Sequence, residues 1–557
     1  MRVIEIVIKS SGLLILIALS HISAFGQDPC VRFPQGTLIQ EPEDLYSQDG
    51  VLTVDFTYQT ALDEGGFPKY CFVNSDGAQA PTLHVNPGDI LVINLTNLVP
   101  DSGDMPDMPG MEIAKAGEGG CGDLNMTAAS VNIHYHGTNT PPTCHQDEVI
   151  RTIINSGHTF RYEVHFPKNE PPGLYWYHPH IHGISFGAVQ GGATGAIIVE
   201  GIENVNPEVA GLPQELIVVR DNQPVNPPPN HSRRHKPGTH RPGDNDAGAD
   251  LSVNYVPVGS PAFIPAEYTM KPGEKQFWRL LNSAAVSILD LQLLYDGKPQ
   301  PFEIISLDGV AIGSQNGSGK GSSLVRDHIL IPPAGRAEFI VTGPSADVRN
   351  ARLITRKVDT GPDGDPDPTR PLFHITASAA ADPSIHGRPI PAASGPAPAP
   401  RFPNLDKATA TVTRSLYFSE DTNFFYITVD GDTPKPYNMS DPPSIVTTQG
   451  SVEDWIIENR SGENHEFHMH QIHFQLMERN GRPVKSGERQ ILDTVDIPYW
   501  TGTGDYPSIK VRMDFRGPDV GDFVYHCHIL DHEDGGMMAI IRVLPRTSEK
   551  SPNVSKK

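Results

Sequence analysis

The chain has 557 residues, room for two to four domains, and acidic residues outnumber basic ones by 66 to 43. That balance argues against nucleic acid or an anionic membrane surface as a partner and favours a soluble protein. The 53 prolines and 52 glycines, the many short Val/Ile/Thr runs and the scarcity of helical periodicity point to all-β sandwiches.

The chain starts with what reads as a targeting segment. Arg2 and Lys9 precede an apolar run at residues 13–19, and small residues around Ala24 and Gly26 suit a signal peptidase. The run is too short to span a bilayer. The expectation is a signal peptide over 1–26, no membrane insertion, and export to the periplasm or the exterior. Cys30, Cys71, Cys121 and Cys144 then fit two disulfides, with all three connectivities open, and Cys527 stands apart.

Three segments, 84–97, 270–282 and 448–459, share one pattern. Each has a turn glycine (Gly88, Gly273, Gly450), an acidic residue soon after, an alternating strand and a terminal asparagine (Asn97, Asn282, Asn459). They lie about 180 residues apart, which predicts related β domains over 27–201, 202–377 and 404–545. A Pro/Ala-rich linker covers 378–403, and the Lys/Ser-rich tail, 546–557, reads as disordered. A polar insertion at 224–250 carries His231, His235 and His240 without tight metal spacing and reads as an exposed loop.

The richest stretch begins at Tyr525-His526-Cys527-His528-Ile529, and Tyr177-His178-Pro179-His180-Ile181 matches it in the first unit. On a strand, alternation sends Cys527 to one face and His526 and His528 to the other. Cys527, His532 and Met537 offer a thiolate, an imidazole and a thioether, a set suited to a blue-copper electron-transfer site. Three further pairs, His134/His136, His178/His180 and His468/His470, each put two imidazoles on one face. The four pairs give eight ligands for a cluster, and His465, Cys527, His532 and Met537 remain for a mononuclear site. Pro179 stands where the third unit has Cys527, so the first unit shares only the cluster. The middle unit has no paired histidines and reads as a spacer that shapes the interface and any substrate approach.

These segments, in this order and inside three repeats, resemble the multicopper oxidases, the family of laccases, bilirubin oxidase and metal-oxidising relatives. The resemblance implies three cupredoxin-like Greek-key β-sandwich domains and four coppers: one type 1, one type 2 and two type 3. Carried over, type 1 copper falls to His465, Cys527 and His532 with Met537 axial. Type 2 falls to His134 and His468, and the type 3 pair to His136, His178, His180, His470, His526 and His528. The cluster is then expected between the first and third domains. A reductant gives up single electrons at type 1 copper, Cys527 passes them towards His526 and His528, and O2 is reduced to water.

Two acids look like proton carriers of the family, Asp147 and Glu533. Glu466 stands where the family usually has proline. His182 and His473 are expected as hydrogen-bonded neighbours rather than ligands. The axial Met537 implies a lower potential than an apolar residue there. Phenols and aromatic amines are the first expectation for the donor. Cuprous or ferrous ion is the alternative, with Met105, Met108 and Met111 as its clue. A non-catalytic copper-binding cupredoxin-fold protein is the rival outside enzymology, but it should lack cluster ligands, and this chain lacks none. A monomer is expected.

Overall fold

The three repeats become three strands of equal length, Ile90–Asn97, Lys275–Asn282 and Val452–Asn459. In the computed structural model, which describes residues 28–101, 121–123, 125–222, 247–379, 388–485 and 488–546, the terminal asparagine does the same work three times. Asn97 donates to the carbonyls of Ala129 and Ile154, Asn282 to those of Ser287 and Ile331, and Asn459 to those of Glu463 and Ile497. In each case Oδ1 accepts a backbone N–H two residues on, from Val99, Ala284 and Ser461. A buried amide thus supplies hydrogen-bond partners where the chain leaves the sheet. The signal-peptide segment, the Met105–Met111 stretch, the His231–His240 insertion, 380–387 of the linker and all but Arg546 of the tail lie outside the described residues.

Each repeat strand belongs to a sandwich of two sheets whose neighbouring strands are often non-consecutive, as Greek-key connections require. The first pairs a 4-stranded with a 5-stranded sheet around Leu83, Ile93, Tyr162 and Tyr177. The second pairs an 8-stranded with a 6-stranded sheet around Trp278, Phe339 and Phe373. The third pairs a 7-stranded with a 5-stranded sheet around Trp455, Phe467, Tyr525 and Cys527. The protein is all-β, as its composition leads one to expect. Of the three disulfide connectivities, the one formed is Cys30–Cys71 with Cys121–Cys144, and Cys527 is a buried free thiol. Among the described residues no helix is long and apolar enough to cross a membrane.

What positions the site is a pair of strands with a different neighbour on each face. On Gly173–His178, Tyr175 and Tyr177 face the first core, while Leu174 and Trp176 pack against Leu216, Val218, Leu281 and Ala334 of the middle unit. On Gly521–Cys527, Phe523, Tyr525 and Cys527 face the third core, while Val524 meets Val149 and Ile150 of the first unit. Alternation alone therefore carries each strand's outward residues into an interface.

The first of these contacts has almost no slack. A Cβ at Gly173 would lie 2.4 Å from the Gly309 carbonyl oxygen of the middle unit. Gly173→Ala is therefore expected to cost about 1–3 kcal/mol, read as a lower denaturant midpoint. A midpoint matching the wild type within error would show that the two units yield there freely.

Candidate metal centre

Strand register gathers the paired histidines. His134–His136 lies against Gly173–His178 with His134 opposite His178, and His465–Met469 lies against Gly521–Cys527 with His468 opposite His526. The ring nitrogens fall into groups: His136, His178 and His528; His180, His470 and His526; and His134, His136 and His468. Within a group all are buried and lie within 4.8 Å of one another. Each group combines residues of the first and third units.

The nitrogen pattern shows what this cluster suits. His134 is held at Nδ1 by Asp147 (3.0 Å), His178 by the Pro179 carbonyl (2.9 Å) and His468 by the Asp493 carbonyl (2.8 Å). The Nε2 atoms of all three are buried without a hydrogen-bond partner, as are His136 Nδ1 and both nitrogens of His528. The Nε2 atoms of His180 and His470 each lie 3.2 Å from that of His526. Burial first, then repulsion among the rings, pushes His136, His178, His180, His468, His470, His526 and His528 well below the usual histidine range. Neutral imidazoles pinned on one nitrogen, with the other turned into a common buried space, are a donor set that metal ions complete.

A second group lies on the other face of the same strand. Cys527 Sγ is 3.7 Å from His465 Nδ1 and 3.8 Å from His532 Nδ1, and those two nitrogens are 3.1 Å apart. The outer nitrogens are engaged: His465 Nε2 by the Ser461 hydroxyl at 2.7 Å, His532 Nε2 beside Glu463 Oε1 at 3.3 Å. Met537 is buried in the same core, and its carbonyl accepts the Cys527 N–H at 3.1 Å. One thiolate, two imidazoles and a nearby thioether fit copper.

Family profiles described as multicopper oxidase match residues 123–204 and 403–547, the two stretches that hold all of these side chains. The chain belongs to the multicopper oxidase family. It is 24% identical over 429 residues to a multicopper oxidase of Staphylococcus haemolyticus, covering 75% of this chain and 78% of that protein. Among solved structures it resembles a variant of a multicopper oxidase from Aquifex aeolicus, with a TM-score of 0.65 at 20% identity over 92% of this chain and 100% of the other. It also resembles a Campylobacter jejuni multicopper oxidase described as a metallo-oxidase, with a TM-score of 0.63 at 19% identity over 92% and 96% of the two chains.

Around the ligand-like groups, this multicopper oxidase places its acids unequally. Asp147 accepts from His134, from the Tyr135 N–H at 3.0 Å and from Gln471 at 2.5 Å, so it is fully occupied in fixing His134. Glu533 is wholly buried. Burial pushes its carboxyl up to about 8 against a small opposing effect of Ser185, and it sits 3.5 Å from His182 Nδ1. His473 donates to or accepts no ligand-group ring; its Nε2 meets the Asp308 carbonyl at 2.9 Å and Asp493 Oδ2 at 3.4 Å. Glu466, in the usual proline position, uses its N–H to donate to Cys527 Sγ at 3.3 Å, which a proline could not do.

Several residues of the site carry no sequence signal. Asp493, Asp308 and Arg336 lie under the cluster, and Glu463 and Glu420 lie beside His532. They are common residue types, far apart in the chain, with no spacing that marks them. Gln471 was within reach, since it directly follows the His468/His470 pair.

Glu533 generates a test through linkage. Its folded value lies above the ordinary carboxyl value of 4.5, so the wild-type fold loses stability, relative to a neutral isostere, as pH rises from that value towards about 8. In the copper-free protein, Glu533→Gln should become more stabilising between about pH 5 and pH 8, by more than about 1 kcal/mol. An increment in denaturation free energy that is equal at both pH values would place an ionised carboxylate there instead.

Proposed function

We propose that this multicopper oxidase couples one-electron oxidation of a small cationic donor, a cuprous or ferrous ion, to reduction of O2 to water. The observation that carries the donor class is the acidic surround of His532. Glu463 lies 3.3 Å and Asp531 3.9 Å from His532 Nε2. Glu420 is hydrogen-bonded to Glu463; burial and that neighbour push Glu420 up to about 9, while His532 and Glu420 draw Glu463 down to about 2 against the effect of its own burial. The two carboxyls thus keep one proton and one negative charge between them near neutral pH. Phe425 stacks on the ring at 4.3 Å, and His532 is only 4% exposed. A phenol needs an open apolar face against this imidazole; a cation needs oxygen ligands and negative charge. The carboxyls beside His532 favour the second.

The ligand set is the one the family resemblance implies, and the unpartnered nitrogens of His134, His136, His178, His468 and His528 support it. His465 Nδ1, His532 Nδ1 and Cys527 Sγ, with the Met537 thioether, would hold type 1 copper. His134 and His468 through Nε2 would hold type 2, and His136, His178, His180, His470, His526 and His528 the type 3 pair, four coppers in all. Bound there, copper supplies the one-electron steps and the reduction of O2. The chain itself supplies the rest. Cys527 is peptide-bonded to His526 and His528, so the two sites are joined through a few covalent bonds. Asp147 and the Asp493 carbonyl fix the tautomers of His134 and His468. Glu533 holds a proton at neutral pH next to His182 and is the better proton carrier of the two acids. We further read the protein as exported, on the strength of the leader-like residues 1–26 and the two disulfides.

Oxygen uptake with cuprous ion, ferrous ion and a methoxylated phenol tests the donor class. A metal ion should give the highest kcat/KM, and Glu463→Gln should lower that value by about tenfold or more while sparing the phenol. A phenol preference untouched by Glu463→Gln would return the reading to a laccase-like oxidase.

A further inference from the structure

The middle unit holds none of the cluster histidines, yet it reaches them. Arg336, at the start of strand Arg336–Thr342, donates from Nη1 to Asp493 Oδ1 at 2.8 Å and from Nη2 to Asp493 Oδ2 at 2.5 Å. Asp308, also of the middle unit, accepts the Arg336 backbone N–H at 2.9 Å and the Asp493 backbone N–H at 3.2 Å. All three residues are buried. Asp493 in turn meets two of the cluster histidines: Oδ1 lies 3.3 Å from His136 Nε2, and its carbonyl accepts from His468 Nδ1 at 2.8 Å. These contacts decide which nitrogen each ring turns inward, Nδ1 for His136 and Nε2 for His468, and both of those atoms are without partners. The backbone beside His136 is shaped to the same plane of atoms. A Cβ on Gly137 would lie 2.3 Å from Arg336 Nη2 and 2.5 Å from Asp493 Oδ2.

We propose that Arg336, seated by Asp308, is a positioning residue for the cluster: a two-pronged clamp by which the middle unit fixes Asp493 and, through it, the rings of His136 and His468. The inference rests on the copper reading given above. A guanidinium presents two parallel N–H groups to a carboxylate and so sets its rotation as well as its place, which a lysine ammonium cannot do. The two-histidine site feels this most. It has only His134 and His468, so loosening one ring loosens half of its protein ligands.

The test uses the full copper-loaded chain and three variants: Arg336→Lys, Asp308→Asn and, as a control, Arg279→Lys. Arg279 is a buried arginine of the neighbouring strand, paired with Glu338. Copper per chain, the type 2 electron paramagnetic resonance signal and the blue absorption are measured together. Arg336→Lys should lose about one copper per chain, with chelator resistance of that copper falling about 10–100-fold and its resonance reshaped, while the blue band stays. Asp308→Asn should move the same readings in the same direction, and it decides the matter if Arg336→Lys does not fold. Arg279→Lys should change none of them. Full copper with wild-type resonance in both clamp variants would overturn the proposal, as would an equal loss in Arg279→Lys. A wild-type chain short of the cluster coppers would instead count against the ligand assignment itself.

Discussion

Side chains on a β-strand point alternately to its two faces, and the rest of this structure depends on how Gly521–Cys527 uses that rule. Phe523, Tyr525 and Cys527 face the third core, whereas Val524 faces the first unit and His526 meets rings from it. A thiol and two imidazoles one residue apart are thereby delivered to separate groups, the one around His465 and His532, the other at the junction of two units. Neither group could shift by one residue without losing the other, because a one-residue slip exchanges the faces. The related strand Gly173–His178 obeys the same rule with Pro179 in place of the thiol, so it feeds the junction alone.

That constraint makes the interfaces part of the chemistry. Each cluster group needs rings from two units, so the units must dock to within hydrogen-bond tolerance. Apolar contacts of Val149 and Ile150 with Tyr437, Val524 and Met538 pack the first unit against the third. Asp534 adds direction by accepting the N–H groups of Gly183 (2.6 Å) and Phe186 (2.8 Å) across the same boundary. The middle unit closes the arrangement from beneath through Asp308 and Arg336. Burying those charges is tolerable because the guanidinium and both carboxylates are paired and hydrogen-bonded.

Most of the fold and the ligand-like residues were legible in the sequence, for a local reason. Turn glycine, alternating strand and closing asparagine recur three times, and the asparagine proved to be a working part of each strand end. The H-x-H pairs declare themselves because adjacent spacing and shared strand face are the same fact. What stayed hidden is what long-range folding brings together. Arg336 and Asp493 are ordinary residues 157 positions apart, so how the middle unit shapes the interface could not be read. Of the carboxyls around His532, Asp531 directly precedes it, but Glu420 and Glu463 reach it only through folding, so the acidic surround could not be read from spacing. Disulfide pairing was open for the same reason.

One strand, Gly521–Cys527, faces two sites at once. Copper counting combined with optical spectroscopy on Cys527→Ser tests this arrangement most directly. The blue absorption and turnover should vanish while the copper held by the histidine pairs remains, because His526 and His528 still face the first unit. Loss of the entire copper complement from this variant would contradict it, since the two faces would then not be independent.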